Sequence, residues 1–214
     1  MKDSEHSRKD QCRSPKTEYF SDLGRDWDSV VGNDHERIRQ LAGVLEMIEP
    51  GAGDVVVDVG CGNGVLIPLI ESYIGRSGRI IAVDAAAGMI ETARRKHRHF
   101  GNVDFRVGLI EEIDIPENHA DLAICFAVFP HIDDKLKALR RFRKMLKPGG
   151  ELYIFHVIDT RSLNEFHGGL DAPVSGDRMP LREELQRMLE SSSFRMKTYI
   201  DRNGLNFVRA LPEK

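Results

Sequence analysis

The sequence predicts an α/β fold, a doubly wound, mostly parallel, seven-stranded sheet with an antiparallel last strand. Three observations carry that prediction. Residues 55–59, VVVDV, form a β-branched run, as expected of a strand covered on both faces. After it, short apolar strands alternate with amphipathic helices as far as residue 158, which requires βαβ crossovers and hence parallel pairing. At the end, FRMKTYI (194–200) and LNFVRAL (205–211) flank the turn residues Arg202-Asn203-Gly204, so two strands pair antiparallel.

Taken in order, residues 1 to about 17 are charged and Ser-rich, with almost nothing to bury, and are expected to form a disordered tail. Residues 18–34 hold Tyr19, Phe20 and the single tryptophan, Trp27. Residues 35–48 repeat Ile38, Leu41, Val44/Leu45 and Ile48 at helical spacing, and EPGAGD then breaks the helix. Beyond VVVDV come a helix over 64–75, strand 79–84, helix 87–100, strands 103–107 and 120–126, and helix 133–146. The turn KPGG (147–150), strand 151–158 and helix 181–192 lead into the final pair. His35 opens the first helix, and His6, His97, His99 and His119, in polar surroundings, are expected to be exposed.

A chain of 214 residues with 41% hydrophobic content suits one domain, expected over 18–214. A net charge of −3 and a pI near 6.3 give no overall attraction to nucleic acid or anionic membrane. The basic runs at 94–99 and 136–147 lie on helices whose other face is apolar, Leu136, Leu139 and Phe142 in the second, and read as solvated outer faces. Cys12 sits in the polar tail and Cys61 and Cys125 in apolar stretches; three cysteines so placed suggest no disulfide framework and a cytoplasmic setting. The N-terminal residues have no apolar signal core, and no run approaches the roughly 18 apolar residues of a membrane span.

The chemistry begins where the first strand ends. Asp58, Gly60, Gly62 and Gly64 form D-x-G-x-G-x-G at a strand-to-helix turn, where glycines let the backbone turn sharply and approach a ligand. Counted from Gly60, the last position of a dinucleotide fingerprint is Val65 rather than Gly or Ala, which argues against a pyrophosphate on the helix N-terminus. The next strand ends in Asp84, one βαβ step on, where a carboxylate can accept both hydroxyl protons of a ribose. A nucleoside without clear phosphate sites is implied.

With these pieces in place the chain resembles the class I S-adenosylmethionine-dependent methyltransferases over residues 35–211. VVDVGCGNG (56–64), VDAAAGM (83–89), ADLAICFAVFPHI (120–132) and MLKPGGELYI (145–154) are similar to four of that family's motifs. The resemblance implies a Rossmann-like methyltransferase fold and S-adenosylmethionine as cofactor. It also implies Gly60 and Gly62 around the methionine part, Asp84 on the ribose and Met89 against the adenine face. Asp58, Ala85, the Ile110 backbone amide and Phe126 complete the expected set. Leu109 stands where many members carry an acid for the adenine amino group, a role that Glu111 could take. The segment 18–34, in members of this family, often folds over the cofactor as a lid.

Little of the acceptor is encoded, because methyl transfer needs alignment, water exclusion and at most a base. The sequence after strand 120–126 lacks the Asn/Asp-Pro-Pro-aromatic pattern of base-amino methylation, so a small-molecule acceptor is expected and nucleic acid is not. A silent cofactor-binding protein and a nicotinamide-dependent oxidoreductase are the competing readings. His131 follows strand 120–126, His156 comes near the end of strand 151–158, and His167 lies in the following loop. By topology the three imidazoles could converge on the acceptor side. Either they hold a divalent metal, or His131 acts as a general base, or His156 is a core residue and His167 a loop residue.

Overall fold

The computed structural model describes residues 14–24, 35–202 and 204–213. Residues 14–17, expected in the tail, instead open a helix, α1 (Pro15–Leu23). Ser14 Oγ accepts from the Thr17 N–H (3.2 Å), Thr17 Oγ1 accepts from the Ser14 N–H (2.8 Å), and Pro15 follows the cap. This is a reciprocal N-terminal box with proline at the position that needs no donor. Residues 1–13, with His6 and Cys12, and residues 25–34, with Trp27, lie outside the described residues.

The expected elements follow with small shifts: α2 (His35–Ile48), β1 (Val55–Val59), α3 (Ile67–Ile74), β2 (Arg79–Asp84), α4 (Ala87–Lys96), β3 (Val103–Val107) and β4 (Ala120–Phe126). A 3-10 turn at Phe129–His131 precedes α5 (Lys135–Met145) and β5 (Leu146–His156). Lys147-Pro148-Gly149-Gly150 is not a separate turn but an irregularity within β5: Leu146 pairs with Ala120 and Glu151 already with Leu122. The segment expected as a loop after β5 contains a helix, α6 (Thr160–Gly168), capped by Asp159, whose side chain accepts from the Ser162 N–H. α7 (Arg182–Glu190), β6 (Phe194–Arg202) and β7 (Leu205–Pro212) complete the chain.

The seven strands lie in the order β3-β2-β1-β4-β5-β7-β6. β1, β2, β3, β4 and β5 pair parallel, and β7 alone runs against its neighbours, β5 on one side and β6 on the other. Period-two alternation divides the core into two faces. Val56, Ile80 and Ile124 pack with Leu41, Leu45 and Ile70 of α2 and α3. Val57, Val59 and Ile154 pack with Leu139, Phe142 and Leu189 of α5 and α7. Leu136, expected in the apolar stripe of α5, is 37% exposed instead, because Ala138, Leu139, Phe142 and Met145 already fill that interface.

The chain steps outward from β1 to β3 and returns to start β4 on the other side of β1. That reversal leaves a crevice at the carboxyl ends of β1 and β4, the place where open parallel sheets bind ligands.

Candidate functional site

One wall of the crevice is the loop after β1. Gly60 adopts φ 63°, and a Cβ there would stand 2.2 Å from Val128 Cγ2, so only glycine lets the loops after β1 and β4 approach so closely. The loop is held by Asp84 at the tip of β2: Oδ2 accepts from the Gly62 N–H (2.9 Å) and Oδ1 from the Ala86 N–H (2.8 Å). Burial pushes the Asp84 carboxyl above its usual range, although those two bonds and the nearby His131 oppose the rise. Each oxygen accepts one N–H and keeps capacity for one ligand hydroxyl.

Asp58, two residues before Gly60, is 1% exposed and its Oδ2 has no hydrogen-bond partner. Burial, and then the charge of Asp84, raise its pKa to about 7. A second wall is the turn after β3, tied to β2 by the Gly108 N–H on the Asp84 carbonyl (2.9 Å). It brings Leu109, Ile110 and Glu111 to the same pocket as Met89 and Phe126. Phe126 stacks on Phe155 with ring centroids 5.0 Å apart, and the Arg37 guanidinium lies 5.5 Å from the Phe126 centroid.

At the opposite end of the pocket α1 and the 3-10 turn form the lining, and two further chain segments stand behind them. The 3-10 turn presents His131, whose Nδ1 lies 2.6 Å from Asp177 Oδ2 in the connection between α6 and α7. Lys16 of α1 donates to Asp177 Oδ1 (2.7 Å), Asp133 Oδ1 (2.7 Å) and the His131 carbonyl (3.2 Å). Phe20, also on α1, meets the His131 ring edge-on with centroids 5.0 Å apart. From the far side the His167 ring lies 4.9 Å from His131, its Nδ1 3.0 Å from the Asp177 carbonyl oxygen. Burial acts to raise the Asp177 carboxyl, but His131 and Lys16 outweigh it and hold it below the usual range. Burial likewise acts to lower the Lys16 ammonium, and the two carboxylates raise it instead. A neutral imidazole that donates Nδ1–H to a carboxylate keeps its lone pair on Nε2, so His131 can accept a proton.

Residues 57–154 match the family described as a methyltransferase domain. That match, just under half of the chain, and the relatives that follow make the chain similar to the class I S-adenosylmethionine-dependent methyltransferases. It is 30% identical over 142 residues to a ubiquinone/menaquinone biosynthesis C-methyltransferase from Hydrogenovibrio crunogenus, covering 60% of this chain and 55% of the relative. It is 28% identical to a ubiquinone biosynthesis O-methyltransferase from Xanthomonas axonopodis, covering 72% and 65%. The chain spans about half the length of the first curated relatives it matches. The fold superposes on a methyltransferase from Aquifex aeolicus with a TM-score of 0.72, at 21% identity over 89% of this chain and 97% of that one.

Within this methyltransferase fold, Gly60, Gly62, Asp84, Ala85 and Met89 line one pocket together with Ile110, Glu111, Phe126 and His131. Asp58 does not line it and lies in the strand behind. Glu111 is raised by burial, opposed by backbone N–H groups including that of Asp134, so its carboxylate already has a partner at the start of α5.

The three histidines meet only in part. His167 touches His131, but neither His156 nor His167 lines the pocket. Among the described residues no group of three or more His, Cys, Asp or Glu is placed to hold a metal ion, so no metal site is shown at His131, His156 and His167. The physical reason is that Asp177 takes Nδ1 of His131 and its carbonyl takes Nδ1 of His167, while His156 is 3% exposed with both ring nitrogens unpartnered. Burial first, then the neighbouring His131 and His167, lower the His156 pKa to about 3. His97 is also corrected: it is 7% exposed, at the C-cap of α4, and a Cβ on Gly64 would stand 2.6 Å from its Cδ2.

Sequence reasoning missed Lys16, Asp133 and Asp177. The Ser14-Pro15-x-Thr17 box was a readable sign of α1. Nothing local marked Asp177, which is 46 residues from His131.

Proposed function

We propose that this chain transfers a methyl group from S-adenosylmethionine to a small-molecule acceptor, with His131 as general base. The observation that carries the reading is that one pocket is lined both by Gly60, Gly62, Asp84 and Met89 and by His131, whose ring is oriented by a carboxylate. When bound, S-adenosylmethionine supplies an electrophilic methyl group on a positively charged sulfur.

The residues fit that guest. Asp84 offers an acceptor to each ribose hydroxyl, and the unpartnered Oδ2 of Asp58 leaves a polar atom free behind the loop that faces the methionine end. Met89, Leu109 and the Ile110 amide form an apolar slot for adenine; Ala85 and Phe126 complete its sides, and Glu111 stands at its rim. No carboxylate at Leu109 reads the adenine amino group. His131 takes a proton from an oxygen, nitrogen, sulfur or activated carbon on the acceptor as that atom is methylated. Phe20 and the apolar loop after β4 exclude water from it.

A small acceptor is favoured because α1 lies across the mouth, where Ser14, Lys16, Thr17 and Phe20 leave little room for a macromolecule. The expected lid, 18–34, is represented here by Phe20, which with Ser14, Lys16 and Thr17 supports reading α1 as part of a cover over the pocket. The relatives named for C- and O-methylation leave the acceptor atom open. No helix among the described residues is long and apolar enough to cross a membrane, and two buried free thiols, Cys61 and Cys125, suit a reducing cytoplasm.

The test is calorimetry with S-adenosylhomocysteine and with NAD, followed by transfer of labelled methyl from S-adenosylmethionine into a metabolite extract. Binding of the first alone, with label appearing in a small molecule and lost in His131→Gln, supports the reading. NAD binding in its place points to an oxidoreductase. Binding without label transfer points to a silent cofactor-binding protein.

A further inference from the structure

We infer that Asp177 is the positioning residue for His131: it fixes the tautomer that leaves Nε2 basic and balances the charge the ring gains on taking a proton. The inference rests on the reading of His131 as base and deepens it.

The carboxylate is unusually constrained for a loop residue. Its backbone N–H donates to the Val174 carbonyl (3.0 Å) and its carbonyl accepts from His167, so the main chain is tied on both sides. Its two oxygens take different partners, Oδ2 the His131 ring and Oδ1 the Lys16 ammonium. The side chains of Asp177, Lys16 and His131 are only 11%, 15% and 16% exposed. This is therefore not a solvated surface pair, for which geometry would matter little. Lys16 spends its three N–H donors on Asp177, Asp133 and the His131 carbonyl, and so holds both ends of the dyad at once.

The charges around the ring balance. Lys16, and Lys135 donating to the Pro130 and Ile132 carbonyls on either side of His131, offset Asp133 and Asp177, so it is the direct contact with Asp177, not a net negative charge, that answers a proton on the ring. His156 and His167 are held toward the neutral form by burial, and Asp84, on the cofactor side, also favours a cationic ring. The proton removed from the acceptor lands on Nε2 and is stabilised through Nδ1–H by Asp177.

The experiment is long-range proton–nitrogen NMR on histidine-15N protein saturated with S-adenosylhomocysteine, with the His131 signals assigned by their loss in His131→Gln. The wild type is expected to show the Nδ1–H tautomer. In Asp177→Ala the Nε2–H tautomer should appear. Asp177→Asn, which keeps the size and backbone ties but removes the charge, serves for the transfer measurement if the alanine variant does not fold. Labelled-methyl transfer into extract should fall at least about tenfold in both, with S-adenosylhomocysteine affinity within about threefold of wild type, as expected for loss of a general-base effect. An Nε2–H tautomer in the wild type, or transfer within about threefold of wild type in both variants, overturns the positioning role while leaving the base assignment standing. Full transfer in His131→Gln overturns the base assignment itself, whatever the tautomer does.

Discussion

Asp84→Ala separates two jobs that one carboxylate performs. In the folded chain its oxygens accept the Gly62 N–H at 2.9 Å and the Ala86 N–H at 2.8 Å, and in the proposed complex each also accepts a ribose hydroxyl. Alanine leaves both backbone donors in a part-buried setting without their acceptor, at about 1 to 3 kcal/mol each. Even the low end, about 2 kcal/mol in sum, lowers Tm by roughly 4 to 8 °C for a chain of this length. The ligand loses charged hydrogen bonds to two hydroxyls, about 2 to 3 kcal/mol in all. That corresponds to a roughly 30- to 150-fold weaker Kd for S-adenosylhomocysteine. Asp84→Asn keeps one oxygen and the side-chain size, so it should fall between alanine and wild type in both measurements. Calorimetry and a melting curve on the same samples read the two jobs independently. A folded Asp84→Ala protein that binds S-adenosylhomocysteine within about threefold of wild type would falsify the ribose assignment, since no hydrogen-bonded carboxylate is so dispensable. An unchanged Tm would mean that the loop after β1 is held by something other than these two bonds.

Asp58 and His156 should tilt the pH dependence of stability in opposite directions. Burial raises Asp58 from 3.8 to about 7, so its contribution is present below the lower value and lost as pH rises through the upper one. Burial lowers His156 from 6.5 to about 3, so its contribution is present above 6.5 and lost as pH falls toward 3. Their slopes, about 1.4 kcal/mol per pH unit each, oppose one another where the windows overlap. Tm measured from pH 4 to pH 6.5 should therefore rise more steeply in Asp58→Asn than in wild type, and fall more in His156→Leu; two variants parallel to wild type would reject both assignments. Gly88→Ala places a Cβ 2.3 Å from the Ser21 carbonyl oxygen, so α1 should lift from α4. Faster amide hydrogen exchange confined to residues 15–23 is the expected signature, and unchanged exchange there would show that the contact yields without cost.

The half of the site that would hold the cofactor was legible because it is local. Asp58, Gly60, Gly62 and Asp84 fall within one strand–loop–helix–strand unit, where glycine and a strand-end acid are dictated by backbone geometry that few other residues satisfy. The strands were legible for the same reason: a β-branched run such as VVVDV is buried on both faces wherever it sits. Two helices were not. α1 buries no residue fully and owes its position to Ser21 on Gly88 and Lys16 on Asp177, contacts 67 and 161 residues apart in sequence. α6 ends in His-Gly-Gly and has Phe166 59% exposed, so its apolar periodicity was weak, although Asp159 with Ser162 three residues later marked its start. His97 shows the complementary failure. Its neighbours Arg95, Lys96 and Arg98 are polar, yet a residue at a helix C-cap can turn inward while its neighbours stay in water, and sequence composition does not report that angle.

The acceptor half was illegible for a different reason. His131 comes from the turn after β4, Asp177 from the connection before α7, Lys16 from α1, and His167 from α6, and each is an ordinary polar residue in its own segment. Only the parallel pairing of β4 with β5, which sets their exits side by side, and the return of α1 over α4 bring them together. A motif for the cofactor can be short because it falls within one βαβ unit, whose backbone geometry dictates its glycines and strand-end acid. Recognition of the acceptor is instead distributed over loops that the sheet positions but does not constrain. The consequence is testable in kind: substitutions at Asp177 or Lys16 should alter what is methylated and how fast, while leaving the affinity for S-adenosylhomocysteine with Gly60, Gly62 and Asp84.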